Sequence, residues 1–286
     1  MRRVAVVAAL HKAGIEEALR DLTENLERLG REVFLSTEAA ELLGSSSGYD
    51  PLPLDQIDLI IALGGDGSVL SAARMAAPYH IPVLGIRLGG FGFLTEAERD
   101  DAAQALSAVA NGDFWIEERT LLSGSVWRSE QVLFQGLALN DVLAIKSVEA
   151  PLPQWEVCLN DHFVCRYPSD GVLVATPTGS TAYSLSLGGP ILAPDVPALL
   201  LLPLAPHSLT IRPLVLSDQS RVSITLLPQR RIVDGEISLD GQLRYPIVAN
   251  DRIEVAVALE KARIVRCKKT SFYERLRQKL RWGERA

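Results

Sequence analysis

The sequence predicts an α/β domain followed by a mostly β domain, and three observations predict it. Strand and helix signals alternate over the first 115 residues. After Trp115 short β-rich runs separated by turn residues take over. The chain then ends on a helical pattern, SFYERLRQKLRWGERA, with Phe272, Leu276 and Leu280 at i, i+4 and i+8. We therefore expect a doubly wound, Rossmann-like domain over 1–118 and a mostly β domain over 119–270. The helix at 271–286 is expected to pack back on the first domain with its basic face in water.

The elements of the first domain follow in order. VAVVAAL (4–10) reads as a strand. MRRVAVVAALHK opens as a leader peptide would, but its apolar run stops at His11 and Lys12 and no small-residue cleavage site follows, so the strand reading stands. GIEEALRDLTENLERLG (14–30) is helical, with Ile15, Leu19, Leu22, Leu26 and Leu29 on one face and Gly30 as its stop. EVFLST (32–37) is a second strand, and LLGSSSGYDPLPLDQ (42–56) is a loop rich in Ser, Gly and Pro. IDLIIAL (57–63) is apolar throughout, as a parallel strand buried on both faces is. A helix from about Ser68 to Ala77, a strand at IPVLGI (81–86) and a helix near 99–110 complete the domain. In the second domain LLSGSVW, QVLFQGLALNDVLAI, QWEVCLN, GVLVAT, SLTIRPLVL, RVSITLL, EISLDGQ and RIEVAVAL read as strands, with one helix signal after TPTGS.

Composition narrows the function. Apolar residues make up 48% of 286, enough for a sizeable core, and no run approaches the roughly 18 residues of a membrane helix. Net charge is −6, against a general nucleic-acid binder. The charge is uneven: residues 261–286 hold ten Lys or Arg against Glu274 and Glu284, a local +8, so the other 260 residues carry −14. Cys158, Cys165 and Cys267 are few, odd in number and without CxxC spacing, which suits a reducing cytoplasm rather than a disulfide framework or structural zinc. His11, His80, His162 and His207 are scattered and show no metal-binding spacing.

Four stretches carry chemistry. LGGDGS (63–68) ends a buried strand, where ligands of open α/β sheets gather. Gly64, Gly65, Gly67 and Ser68 can bring backbone N–H groups to phosphate oxygens, and the next helix offers its positive end. Neither a Walker A loop nor GxGxxG is present. A carboxylate beside a phosphate is unfavourable unless it binds a hydroxyl, holds a cation or accepts a proton, so Asp66 is the candidate base for transfer to an alcohol. The alternative is a tight turn with a capping Asp or Ser. TPTGSTAY (176–183) surrounds the start of a short helix with hydroxyls and can face an anion or a ribose, or simply cap that helix. Asp170 lies just ahead of the preceding strand. Asn140 and Asp141 could offer adjacent acceptors to a ribose diol, or form an Asn-Asp turn. VLGIRLGGFGFLTE (83–96) is a glycine-rich loop with two phenylalanines, a wall beside a ligand or a long packed connection.

Taken together these residues resemble a known family. Gly-Gly-Asp-Gly-Ser (64–68), Asn-Asp (140–141), Thr-Pro-Thr-Gly-Ser-Thr-Ala-Tyr (176–183), Gly-Gly-Pro (188–190), Pro-His (206–207) and Asp-Gly-Gln (240–242) occur in the order seen in NAD kinases, over roughly residues 1–282. Gly-Gly-Asp-Gly is shared with phosphofructokinases and with lipid kinases; TPTGSTAY is far more specific. The resemblance implies a C-terminal β-sandwich-like domain, NAD held in a cleft between the domains, and a cytoplasmic enzyme. It implies transfer of a phosphoryl group from ATP or polyphosphate to the 2′-hydroxyl of the adenosine ribose, making NADP. It implies magnesium carried with the nucleotide, and a homodimer or homotetramer in which a neighbouring subunit can contribute to the NAD site. No nucleic acid or membrane partner is implied.

By position, Asp66 matches the catalytic aspartate and Gly67 its neighbour. Asn140, Asp141, Asp170, the 181–186 segment with Thr181, Ala182, Tyr183 and Ser186, and then Ala205 and Gln242 match nucleotide contacts. The chain departs from the family pattern at Asp141, usually Glu, and at Arg87 and Phe91, usually Asn and Leu. It also departs at Leu187 and at Pro168, the latter linked to NAD versus NADH preference. Two rival readings are a lipid or sugar kinase sharing Gly-Gly-Asp-Gly, and a non-catalytic dinucleotide sensor.

Overall fold

The computed structural model describes residues 1–208, 210–230, 233–281 and 283. Its residues group into two compact units, Met1–Glu118 with Lys261–Ala286, and Arg119–Glu260.

The first unit opens with β1 (Arg3–Ala8), α1 (Ile15–Arg28), β2 (Glu32–Leu35), α2 (Thr37–Leu42), β3 (Leu59–Gly64) and α3 (Asp66–Ala76). β4 (Pro82–Arg87), the two-residue β5 (Ala97–Glu98), α4 (Ala102–Asn111) and the start of β6 (Trp115–Arg128) follow. β4, β3, β1 and β2 lie side by side, all parallel. Every residue of β3 is buried, which is why its sequence is apolar without alternation. α1 sets Ile15, Leu19, Leu22 and Leu26 into a core with Val4, Val6, Leu59 and Ile61. Fully burying each such side chain is worth about 1.5–3 kcal/mol.

Two local differences from the sequence reading have clear causes. α2 was not expected; Ser36 Oγ accepts the N–H of Ala39 at 3.3 Å and starts a helix too short to show periodicity. α3 begins at Asp66, two residues before the expected start, so Asp66 stands in the first helical turn rather than in the preceding loop. Negative charge is favoured there by about 0.3–1 kcal/mol.

The second unit continues β6 and adds β7 (Gln131–Ala138), β8 (Asp141–Lys146), β9 (Gln154–Leu159), β10 (His162–Pro168) and β11 (Gly171–Ala175). α5 (Tyr183–Ser186), β12 (Ala198–Leu204), β13 (Leu214–Ser217), β14 (Val222–Leu226), β15 (Asp234–Leu239), β16 (Leu243–Val248) and β17 (Arg252–Arg266) complete it. One antiparallel sheet runs β13-β12-β11-β8-β15-β16. Opposite it lie β10, β9, β14 and the first part of β17, with β6 and β7 forming a hairpin. Alternate residues of both sheets meet in one core, among them Trp155, Val157, Ile224 and Ile253 against Val142, Val172, Val174 and Ile237. Leu173, Leu200 and Leu202 are buried on the other face, which accounts for the unbroken leucine run of β12.

The second unit ends at Glu260, ten residues before the expected 270. β17 does not break there: Arg263 and Ile264 pair in parallel with Pro82 and Val83 of β4, so its last part completes the first unit's sheet. α6 (Phe272–Leu280) follows in the first unit, opened by a capping box between Ser271 and Glu274. The expected helix at 271–286 stops here, with Arg281 left-handed at φ 50°; Trp282 and residues 284–286 lie outside the described residues. Its basic residues are not all in water. Arg275 is buried, and Leu280 is 36% exposed, so the inward face is turned relative to the one the apolar spacing picked out.

Candidate active site

In the first unit the carboxyl ends of three neighbouring strands supply the candidate residues. β3 ends at Gly64, whose φ of 152° and crowding suit only glycine: an added Cβ would lie 2.4 Å from Ser68 Oγ and 2.8 Å from Ala9 Cβ. The N–H groups of Ser68 and Val69 turn back to the Gly65 carbonyl at 3.0 and 3.2 Å, starting α3. From β4 the chain runs through the glycine-rich loop to Thr95. Asp66 grips this loop with both oxygens. Oδ2 accepts the N–H of Phe93 at 2.9 Å, and Oδ1 accepts the N–H of Leu94 at 3.0 Å. Gly92 lets the two approach, since a Cβ there would lie 2.3 Å from Asp66 Oδ1.

Lys12, just after β1, was not singled out by the sequence. Its Nζ donates to the carbonyl of Gly64 at 2.6 Å and to that of Leu88 at 3.3 Å, tying the three loops together. Applying the rule of strand carboxyl ends to β1 as well as β3 finds it. Among the described residues no group of three His, Cys, Asp or Glu side chains could hold a metal ion.

The second unit divides its candidates between two ends of one sheet. At one end, Ala175 of β11 pairs with Asp141 of β8, and Leu239 of β15 pairs with Val142. Beyond β11, Thr176 Oγ1 donates to the carbonyl of Leu139 at 2.6 Å and accepts the N–H of Gly179 at 3.1 Å. An added Cβ at Gly179 would stand 2.1 Å from the Asn140 carbonyl oxygen, so the TPTGSTAY turn packs directly on Asn140. Ser180 Oγ donates to the carbonyl of Pro177 at 2.6 Å and accepts the N–H of Leu192 at 3.0 Å. Thr181 and Ala182 are partly buried, and Tyr183 and Ser186 are exposed. Several hydroxyls of this segment are therefore structural, which the sequence alone did not separate from ligand-facing ones.

Asp240, at the β15–β16 turn, holds the same end. Its carboxylate accepts the N–H groups of Leu139, Asn140 and Asp141 at 3.0, 2.7 and 3.2 Å. Gln242 is exposed two residues on. Asp141 opens β8 buried, and burial first, then the charge of Asp240, pushes its carboxyl up to about 7. Asn140 stays half-exposed, so the two do not present a matched pair of acceptors.

Asp170 and Ala205 are not part of this cluster. Asp170 precedes Gly171, which pairs with Ile145 and Leu204 at the far end of β11. Five strand residues place that end about 17 Å from Thr176. There the N–H of Asp170 donates to the Leu204 carbonyl at 2.9 Å, and Ala205 adopts a left-handed φ of 46°.

Comparison with known proteins bears on this arrangement. Residues 17–114 match the model of the ATP-NAD kinase N-terminal domain, and residues 139–267 match that of the ATP-NAD kinase C-terminal domain. The chain belongs to the ATP-NAD kinase family. It is 40% identical to the NAD kinase of Desulforamulus reducens, with 98% of each chain covered. It is 36% identical to that of Geobacter metallireducens over the full length of both. Among solved structures it is similar to yeast NADH kinase complexed with NADH, at a TM-score of 0.91 and 25% identity over 100% of this chain and 89% of that one. It is also similar to an NAD kinase from Archaeoglobus fulgidus in complex with ATP, at 0.74 and 25% over 98% of each. Its function is that of an NAD kinase, and it is an enzyme.

Two departures from the NAD kinase pattern prove to be partners. The Arg87 guanidinium lies 4.8 Å from the centre of the Phe91 ring and pairs with Glu98. The aromatic face and the cation arrive together, as a cation–π contact needs. Leu187 packs on the core of β11 and β12, and the Pro168 carbonyl accepts the N–H of His207 at 2.9 Å.

Proposed function

We propose that this chain transfers the terminal phosphoryl group of ATP to the 2′-hydroxyl of the adenosine ribose of NAD, with Asp66 orienting that hydroxyl and taking its proton. One observation supports this most. A carboxylate stands in the first turn of the helix that follows the glycine turn, and a pair of backbone amides fixes its plane. Each carboxylate oxygen has two acceptor sites, and the amides use one on each, so capacity remains for a hydroxyl. The loose transition state of phosphoryl transfer asks chiefly for positioning, which a doubly held carboxylate offers.

In this reading the positive end of α3 and the Lys12 ammonium face the donor's phosphates. Magnesium enters as part of the donor nucleotide, consistent with an ion bound by one or two carboxylates plus phosphates rather than by a protein cage. In the second unit Asn140, Asp141, Thr181, Ala182, Tyr183, Ser186 and Gln242 receive the adenosine and its ribose. Asp170 and Ala205, at the end of β11 far from Thr176 (about 20 Å for Asp170), serve the NAD site of a second copy in a homodimer or homotetramer. Among the described residues no helix is long and apolar enough to cross a membrane, and the three cysteines are free. We place the enzyme in the cytoplasm.

The purified protein tests this with NAD or NADH crossed against ATP or polyphosphate, following NADP(H). ATP with NAD is expected to give NADP; ATP binding without NADP formation would contradict the reading. Mixing inactive Asp66→Asn and Asp170→Ala chains tests the shared site. Restored activity is expected, and none would remove Asp170 from a neighbour's site.

A further inference from the structure

The loop that grips Asp66 is itself held from the other side. Between Phe91 and Thr95 the chain has no helix or strand, yet both edges of its backbone are engaged. Its amide edge faces Asp66. On its carbonyl edge Arg266 donates to Phe93 at 3.4 Å and to Leu94 at 2.9 Å, Arg275 donates to Thr95 at 2.7 Å, and Lys279 donates to Phe91. The peptide joining Phe93 to Leu94 thus has a guanidinium at its oxygen and a carboxylate at its N–H. Opposite charges at its two ends polarise it and strengthen both bonds.

α6 supplies much of this grip from one side of a single helix. Phe272 sets its ring 6.4 Å from that of Phe93, and Arg275 and Lys279 follow three and seven residues later. Arg275 is 6% exposed and also donates to Glu96 at 2.8 Å. Glu96 is completed by Arg266 at 3.3 Å and by the N–H groups of Cys267 and Lys268 at 2.9 and 2.7 Å. Buried ion pairs are weak sources of stability, so this cluster calls for another use. The planar fork of an arginine can hold a carbonyl and a carboxylate at once in fixed geometry, which a lysine cannot. α6 also lies beyond the residues that either family model matches.

We infer that α6 positions the catalytic carboxylate, with Arg275 and Lys279 setting the 91–95 loop and the loop setting Asp66. The inference rests on the reading of Asp66 as the catalytic base. Arg275 and Lys279 are positioning residues, because they act through the loop.

The test is the kcat and KM for NAD of Arg275→Lys, Lys279→Ala and, as a control on the exposed side of the helix, Arg277→Ala, each alone and in an Asp66→Asn background. Lys279 is exposed and its variant is expected to fold. Misplacing a reacting group by about 1 Å can cost about 100-fold. We expect Arg275→Lys to lower kcat about 10-fold and Lys279→Ala about 3-fold, each leaving KM for NAD within about 2-fold. Arg277→Ala should leave both unchanged. In the Asp66→Asn background the further losses should fall below about 2-fold, since residues acting through one group are not additive. Unchanged kcat in both α6 variants, or losses equally large without the Asp66 carboxylate, would overturn the inference. If Asp66→Asn itself turns over normally, the reading beneath it fails instead.

Discussion

The carboxylate of Asp66 accepts the backbone N–H of Phe93 at 2.9 Å, across 27 residues of sequence. With the second bond, from Leu94 at 3.0 Å, it makes the glycine turn after β3 and the glycine-rich loop after β4 one object. Asp66 therefore has one duty to the loop, and in the proposed reaction a second to the acceptor hydroxyl. Variants can separate them.

Gly92→Ala disturbs the carboxylate without altering any polar group. The new Cβ would lie 2.3 Å from Asp66 Oδ1, 2.9 Å from its Cγ and 2.8 Å from Thr95 Oγ1. Either the carboxylate turns or the loop withdraws. Turnover should fall about 100-fold, with KM for NAD changing less than about 3-fold and a stability loss of about 1–3 kcal/mol. Steady-state kinetics and urea unfolding read both effects.

Asp141 makes stability depend on pH in a stated direction. Its folded carboxyl titrates at about 7, above the ordinary value of 3.8, because it is buried and faces the charge of Asp240. A group raised on folding favours the folded state while protonated, and that contribution is lost as pH rises through its folded value. Ionising Asp141 should therefore cost stability progressively between about pH 4 and pH 7. Asp141→Asn, which removes this titration, should melt higher than the parent at pH 8, with the gap narrowing at pH 5. Melting curves at the two pH values decide it; a gap independent of pH would contradict it.

Asp240→Asn tests the clamp on the end of the second unit that we propose receives the adenosine. Three backbone amides, from Leu139 to Asp141, share the Asp240 carboxylate, and asparagine tolerates the left-handed φ of 53° found there. Losing one acceptor oxygen should cost about 1–3 kcal/mol. KM for NAD should rise about 10-fold through the displaced Asn140, with kcat changed less. Kinetics at saturating ATP check this.

The layout of the fold was readable because burial leaves plain marks. A continuous apolar run marked β3 and leucines at helical spacing marked α1, whereas the apolar run of β12 was not read as a strand. The glycine turn and the TPTGSTAY turn were legible from residue type and order. What was not legible depends on long-range contacts. Lys12 is an ordinary lysine until β1 is laid beside β3. Asp240 belongs to a motif that spacing could mark, but its three amide partners lie 99 to 101 residues away. Arg275 reads as part of a basic helix face, and only its contacts with Glu96 and Thr95 show that it points inward. The separation of Asp170 from Thr176 follows from the course of β11 through the sheet, which residue types do not record.

The most direct measurement is NADP formation by Asp66→Asn, made beside calorimetric NAD binding and a melting curve. Asparagine offers a single acceptor oxygen, so one of the two loop amides loses its partner and about 1–3 kcal/mol of stability should go with it. The expected result is a folded protein that binds NAD within about 2-fold of the parent and turns over about 10²- to 10⁴-fold more slowly. Near-normal turnover in a folded Asp66→Asn protein would contradict the central claim that this carboxylate prepares the hydroxyl for transfer.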